Sequence, residues 1–181
     1  SADFHDHATA FLAAGMLERH DRKRFETTAI SFGPEKPGPM RDRLKAAFGR
    51  FVDARNISDG EVARSLRDME IDIAVDLKGF TKDARTGILA SRPAPVQVNY
   101  LGYPGTMGAE FIDYILADRT VIPDDHAGFY TEKVVHLPGS YQSNDRTRRI
   151  GARAPSRSEA GLPARAFVFC SFNSLYKITP A

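Results

Sequence analysis

Apolar and polar residues follow one another along this chain in two rhythms: a period of two, typical of strands, and a period near 3.6, typical of helices. The clearest strand is 71–77, where isoleucine, valine and leucine occupy every second position. The clearest helix start is Ser58, because Glu61 stands three residues later and the two side chains can satisfy free amides of a first helical turn. The same criteria predict other strands at 25–32, 51–52, 96–101, 114–117, 133–137 and 166–172, and other helices at 6–19, 40–48 and 84–91.

The order of these elements predicts the fold class. Strands that alternate with helices form a parallel sheet with helices on both faces, so we expect an α/β, Rossmann-like lobe. In open sheets of this kind, ligands bind beyond the carboxyl ends of the strands. Candidate ligand-binding residues therefore fall within 3–7, 76–81, 101–108 and 173–177.

Three regions are expected along the chain. Residues 1–140 would form the Rossmann-like lobe, and its first strand is expected to be missing because Ser1 opens the chain without a lead-in strand. Residues 141–164 are polar, contain glycine and are rich in arginine, which is typical of a linker. The apolar strand that follows, within 165–181, would begin a second lobe.

Composition excludes several protein classes. The chain has 181 residues, about one domain, and its 42% apolar and 27% charged residues are close to globular averages. The single Cys170 cannot form an internal disulfide or a cysteine-rich zinc site, and on an apolar strand it is expected to be a core residue. No apolar run reaches the ~18 residues of a membrane helix, and no signal peptide opens the chain. We therefore expect a cytoplasmic protein with no membrane partner.

The net charge of +2 is unevenly distributed. Residues 145–165 hold six arginines against Asp145 and Glu159. Such a stretch can attract phosphate or nucleic acid. No aromatic residues interleave with the arginines, as base stacking would need, so a solvated connection is the better interpretation and no nucleic-acid partner is expected.

Histidines near the amino end are the first candidates for chemistry. His5, Asp6 and His7 are consecutive and Asp3 is near, but a third ligand placed elsewhere is lacking, so no metal is predicted. His7 would sit in the first turn of a helix, whose positive end disfavours the imidazolium. A neutral imidazole can accept a proton or a hydrogen bond from a substrate hydroxyl. The alternative is a histidine that caps the helix or lies on the surface.

Two further segments lie where strands are predicted to end. The loop 102–106 matches neither a dinucleotide fingerprint nor a P-loop, so its glycines indicate either close approach of the backbone to a ligand or another segment, or a plain turn. Lys177 follows the predicted last strand and is well placed to neutralise a phosphate as a point charge. The alternative is a solvated lysine.

Five segments, in this order, resemble the catalytic region of the protein O-linked N-acetylglucosaminyltransferase family. The run from Gly79 to Gly108 is highly specific, and the other segments corroborate it. The resemblance covers the whole chain. The segments are Asp3-Phe4-x-x-His7, Gly79-Phe80-Thr81-Lys82-x-Ala84-Arg85, Arg92-Pro93-Ala94-Pro95-Val96-Gln97, Leu101-Gly102-Tyr103-Pro104-Gly105-Thr106 and Phe172-Asn173-x-Leu175-Tyr176-Lys177-Ile178.

The resemblance implies a fold and a reaction. The fold would have two Rossmann-like lobes (the GT-B type), of which this chain would be most of the amino-terminal lobe and the opening strand of the second. The reaction would be metal-independent, inverting transfer of N-acetylglucosamine to Ser or Thr hydroxyls of proteins. UDP-N-acetylglucosamine would be a co-substrate, and no cofactor is implied. A helical TPR repeat array usually precedes the catalytic region in this family.

The resemblance also assigns residues. His7 matches the family histidine near the acceptor and the sugar, once favoured as a base. Lys177 matches the lysine that neutralises the donor diphosphate, and Ser174 and Tyr176 fall in the same nucleotide-binding segment. Ser174 stands where the family often holds glutamine, which shortens a nucleotide contact. The loop on the acceptor and sugar side would be Gly102, Tyr103, Pro104, Gly105 and Thr106.

Two alternatives stay open at this point. Most of the donor pocket would lie beyond Ala181, so the chain could be a binding or interaction lobe that is inactive alone. Since the sugar-selective residues are mostly missing, a family relative that transfers fucose or glucose from another nucleotide sugar is the second alternative.

Overall fold

The structure is a computed structural model of the chain and describes residues 1–172. Strands and helices alternate in it, as the sequence pattern predicts. A 3₁₀ helix at Asp124–Phe129 is an addition to the predicted elements. The strands are β1 Thr28–Ser31, β2 Arg50–Asp53, β3 Ile73–Asp76, β4 Val96–Tyr100, β5 Tyr114–Ala117 and β6 Lys133–His136, and the helices are α1 Ala8–Leu17, α2 Pro39–Ala47, α3 Asp59–Asp68 and α4 Thr86–Ala90.

The strands pair in parallel, which requires a crossover between paired strands. A helix lies in each connection between successive strands except 101–113, which joins β4 to β5. β1 pairs with β2, with Thr28 opposite Arg50. The other sheet has the order β3-β4-β5-β6, and its register places Ile73 opposite Val96. The predicted α/β class with parallel strands is confirmed, with the strands divided between two sheets in the described residues.

The first residues of the chain link these two sheets. The Ser1 nitrogen donates to the Ile30 carbonyl over 2.9 Å, and the Phe32 amide donates to the Ser1 carbonyl over 3.2 Å, so this segment runs beside β1. Two residues later, Asp3 forms an ion pair with Lys78, which follows β3. The carboxyl ends of β1 and β3 therefore meet around residues 1–3. A strand before Ser1 stays a prediction.

Helices lie on both faces of the strands. α1 packs on α2, and α3 packs on α4. Neighbouring residues of β1 show the two faces, since Ala29 packs in a cluster with Phe4 and Leu44 whereas Ile30 packs against a cluster containing Val62. Successive side chains of a strand point to opposite faces, so the two helix pairs cover opposite sides.

The helix start predicted at Ser58 is confirmed. The Glu61 amide donates to the Ser58 hydroxyl over 3.3 Å, and the Ser58 amide donates to the Glu61 carboxylate over 3.0 Å. This reciprocal capping satisfies two amides that the first turn of α3 leaves free.

β3 lies at one edge of its sheet. Ala74 is buried on one face of this strand, whereas Ile73 and Val75 on the other face are 57% and 48% exposed. The described residues therefore leave the face of β3 that carries Ile73 and Val75 partly uncovered.

The compact unit that contains both sheets runs from Ser1 to Thr147. Residues 141–147, which the sequence analysis places in the linker, fold back onto the helices of this unit. The Ser143 hydroxyl donates to the Leu12 carbonyl of α1, and the buried Asp145 forms an ion pair with Arg43 of α2. These contacts join polar side chains that are far apart in sequence. The local pattern of apolar and polar residues therefore does not predict them.

The second unit begins at Arg148. Within it, the predicted strand 166–172 is wrong, because the described residues there form no strand. Phe167, Phe169 and Phe172 are 82%, 92% and 100% exposed, and Cys170 is exposed rather than in a core. A strand exists only where a neighbouring strand pairs with it, and none of the described residues 148–172 forms a strand. Within residues 1–172, no helix combines the length and apolar character needed to cross a bilayer.

Candidate active site

His7 stands at the amino end of α1, as predicted. It is the N-cap residue, and the Thr9 amide donates to its Nδ1 over 3.2 Å. Because Nδ1 accepts this bond, the neutral ring carries its proton on Nε2. The capping role considered from the sequence is confirmed, and the ring, whose side chain is 42% exposed, can offer Nε2–H to a ligand as a donor.

A buried ion pair lies directly behind this histidine. Lys78 Nζ donates to both carboxylate oxygens of Asp3, over 3.1 and 2.9 Å. Both residues are buried. Asp3 Oδ2 is also 3.7 Å from His7 Nδ1, which is too long for a hydrogen bond. A buried charge is tolerated only when it is paired, so each partner fixes the position of the other.

The turn after β3 places Lys78 in this pair. The two carboxylate oxygens of Asp76 accept hydrogen bonds from the Lys78 amide, over 2.9 Å, and the Gly79 amide, over 3.0 Å. Gly79 has a φ of +56°, which glycine adopts without strain, and a Cβ there would lie 2.4 Å from the Tyr103 Cβ. The turn therefore packs directly against the glycine-containing loop.

That loop, residues 102–106, begins at the carboxyl end of β4 with strained backbone. Leu101 has a φ of +69°, which is rare for a bulky residue, and it is buried. A Cβ on Gly102 would lie 2.1 Å from the Leu77 carbonyl oxygen. Glycine is needed here because the loop backbone passes against the end of β3. Gly102 thus serves close approach to another segment of the chain, which is one of the uses predicted for the glycines of this loop.

Buried polar side chains hold the rest of the loop. The Asn99 amide group donates to the carbonyls of Tyr103 and Gly105, over 3.0 and 3.3 Å. The Glu132 carboxylate accepts hydrogen bonds from the Met107 amide over 2.6 Å and the Thr106 hydroxyl over 2.8 Å. The loop is therefore anchored from β4 and from the segment that leads into β6.

Tyr130 adds a further anchor. Its hydroxyl donates to the Pro104 carbonyl over 3.1 Å. Burial, followed by the nearby charge of Glu132, raises the pKa of Tyr130. The hydroxyl consequently stays protonated and available as a donor over the ordinary pH range.

A chain of contacts links the predicted site residue at the amino end to the predicted loop. His7 lies beside Asp3, Asp3 binds Lys78, and the backbone at Lys78 lies against Gly102. The carboxyl ends of β3 and β4 meet here, which is where ligands bind in open α/β sheets. Ser174, Tyr176 and Lys177 lie outside the described residues. Within residues 1–172, no three His, Cys, Asp or Glu side chains are grouped so as to hold a metal ion.

Sequence reasoning missed Asn99 and Glu132 as parts of this site, and it included Lys78 only within the candidate range 76–81, without a partner. A lysine is almost never fully buried unless it is paired, so the burial of Lys78 requires the carboxylate that Asp3 supplies. Asn99 occupies a central strand where apolar residues are expected, and this was the available signal. Glu132 gave no local signal, because its partners lie 25 and 26 residues away.

Comparisons with known proteins relate the chain to one family of enzymes. The family model described as glycosyl transferase family 41 matches residues 1–151. A probable UDP-N-acetylglucosamine–peptide N-acetylglucosaminyltransferase SEC of Arabidopsis thaliana is 36% identical over 99% of this chain and 19% of its own length. A UDP-N-acetylglucosamine–peptide N-acetylglucosaminyltransferase of Caenorhabditis elegans is 35% identical over 83% of this chain and 13% of its own length.

A solved structure shows the same likeness. A mutant O-GlcNAc transferase of Thermobaculum terrenum superposes with a TM-score of 0.75 and 32% identity, over 78% of this chain and 27% of that chain. In these three matches, the chain spans between an eighth and somewhat over a quarter of the relative's length.

Proposed function

Because this chain belongs to glycosyl transferase family 41, we propose that it is the amino-terminal lobe of an enzyme that transfers N-acetylglucosamine from UDP-N-acetylglucosamine to Ser or Thr hydroxyls of proteins. The relatives from Arabidopsis and Caenorhabditis carry this activity in their names. The observation that supports the proposal is the chain of contacts that links His7 to the loop 102–106 through Asp3 and Lys78, within the part of the chain that the family model matches. We place the reaction in the cytoplasm, where the unpaired Cys170 stays reduced.

In this proposal His7 acts as a hydrogen-bond donor. Its Nδ1 is occupied by the Thr9 amide, so Nε2–H faces a sugar or acceptor oxygen. The rigid loop 102–106 forms the wall on the acceptor and sugar side, since Asn99 and Glu132 hold its backbone. Groups already aimed at the reacting atoms lower the barrier without reorganising.

The transfer is proposed to be inverting and independent of a metal. An acceptor hydroxyl attacks the anomeric carbon from the face opposite the departing diphosphate, forming the new glycosidic C–O bond while the C–O bond to phosphate breaks. The hydroxyl proton leaves with solvent or a base, and UDP carries away the electron pair. Lys177 is proposed to neutralise the charge that develops on the diphosphate, with Ser174 and Tyr176 beside the nucleotide.

The test separates capping by His7 from its contact with substrate. Asn is a good N-cap, so His7→Asn keeps an acceptor for the Thr9 amide but removes the ring, whereas His7→Ala removes both. In the complete enzyme we expect both variants to lose about 100-fold in kcat, a typical cost of one transition-state donor. We expect only His7→Ala to lose stability, by ~1 kcal/mol. Near-normal turnover of folded His7→Asn would remove His7 from the active site.

A further inference from the structure

The tautomer of the His7 ring is balanced between two neighbours, Thr9 and Asp3. Nδ1 accepts from the Thr9 amide over 3.2 Å, and Asp3 Oδ2 lies only 3.7 Å from the same nitrogen. A carboxylate at hydrogen-bond distance would instead require Nδ1–H and, in the neutral ring, would leave Nε2 as an acceptor. The ring can therefore present either a donor or an acceptor to a ligand, depending on which neighbour it binds.

Lys78 decides this competition. It engages both oxygens of Asp3, over 3.1 and 2.9 Å, and the side chains of the pair are 6% and 9% exposed. Hydrogen bonds to ionised groups are roughly twice as strong as neutral ones. An unpaired Asp3 would therefore outcompete the neutral Thr9 amide for His7, whereas an Asp3 already bound to Lys78 does not.

We propose that Lys78 is a positioning residue: by holding Asp3 in a buried ion pair, it keeps the carboxylate off His7 Nδ1 and fixes the ring in the Nε2–H form. The other titratable side chains around the ring are His5, whose ring centroid is 5.8 Å away, and Asp6, which is exposed. Neither of these two side chains forms a hydrogen bond with the His7 ring. The consequence for glycosyl transfer rests on the proposed function, but the tautomer itself does not.

The state of the ring can be measured directly. In the complete protein, ¹⁵N-labelled histidine distinguishes a bare from a protonated Nδ1, and loss of a signal in His7→Asn assigns the resonance. We expect a bare Nδ1 in the wild type. In Lys78→Met, we expect the fraction of bare Nδ1 to fall about tenfold, as the advantage of a charged over a neutral hydrogen bond implies.

Three further variants make the result specific. Lys78→Gln, which preserves a polar side chain and weakens the hold on Asp3, should shift the tautomer in the same direction as Lys78→Met. Asp3→Asn combined with Lys78→Met removes both charges and should restore the bare Nδ1. Lys23→Met removes an exposed lysine after α1 and should change nothing.

The proposal is overturned if His7 keeps a bare Nδ1 in folded Lys78→Gln and Lys78→Met, or if adding Asp3→Asn does not restore it. Transfer rates of the same variants answer a separate question. If the tautomer switches while kcat stays at the wild-type value, the role of Lys78 stands and the proposed contact of His7 with substrate fails.

Discussion

Glu132 holds Thr106 across 26 positions of sequence, its Oε2 lying 2.8 Å from the threonine hydroxyl. Its other oxygen accepts the Met107 amide over 2.6 Å, and the carboxylate is buried. One side chain from the segment before β6 thus fixes the far end of the loop 102–106. The loop geometry consequently depends on a residue outside the loop.

We expect Glu132→Ala to lower the free energy of unfolding by roughly 3 kcal/mol, because the buried Met107 amide and the Thr106 hydroxyl lose charged acceptors. Urea denaturation would measure this loss. Glu110→Ala removes an exposed carboxylate that follows the loop and serves as the control. We expect it to change the free energy of unfolding by no more than ~0.5 kcal/mol. Equal losses in the two variants would contradict the anchoring role.

Gly102 is expected to tolerate no side chain. In Gly102→Ala the new Cβ would lie 2.1 Å from the Leu77 carbonyl oxygen, so the backbone must shift, at a cost of about 3 kcal/mol. Gly60→Ala is the matched control, since it lies in α3 with no heavy atom within 4 Å of an added Cβ, and it should stabilise by up to ~1 kcal/mol. An unchanged melting temperature in Gly102→Ala would show that the loop backbone does not pack against the end of β3.

Asp145 should make the first unit sensitive to acid. The hydrogen bond from Arg43, followed by that from the Thr147 amide, holds the pKa of Asp145 well below its ordinary value of 3.8. A depressed carboxyl pKa contributes stability that is fully present above the unfolded-state value and is lost as the pH falls through the folded-state value.

The variant Asp145→Asn tests this sign. We expect it to be less stable than the wild type by ~2 kcal/mol at neutral pH, the usual worth of hydrogen bonds to a charged group. The difference should stay constant down to about pH 4 and shrink below it, because the carboxyl group of the unfolded wild type then becomes protonated while that of the folded protein is still ionised. Denaturant unfolding at neutral pH and below pH 4 would measure this difference in stability. A difference that grows in acid would contradict the lowered pKa of Asp145.

Lys177 should matter for turnover more than for acceptor binding. If it neutralises the departing diphosphate, Lys177→Ala in the complete enzyme should lower kcat by about 100-fold and leave the acceptor KM nearly unchanged. Lys23→Ala removes an exposed lysine and is the control. Equal losses in kcat and in acceptor affinity would contradict a leaving-group role.

Local chemistry made much of this fold predictable. The capping pair Ser58 and Glu61 is only three residues apart, so the start of α3 could be predicted from the sequence and is confirmed. His7 was placed correctly at the start of α1 because helix starts follow short-range rules. The α/β class followed in the same way from the alternation of elements.

Long-range contacts set the limit of that prediction. The tautomer of His7 depends on Asp3 and Lys78, which are 75 residues apart, and no periodicity encodes their pairing. The segment 166–172 failed for a related reason. Its β-branched and aromatic residues favour a strand, but a strand needs a second strand to pair with. Residues 148–172 contain no such strand.

That segment has a practical consequence for handling the protein. Ala166 to Phe172 carries no charge and no proline, and its three phenylalanines face solvent. An exposed segment with high β-propensity and no charge can pair with the same segment of another molecule, so concentrated samples will tend to aggregate through residues 166–172. A charged substitution at Phe169 is the simplest way to keep preparations of the chain monodisperse.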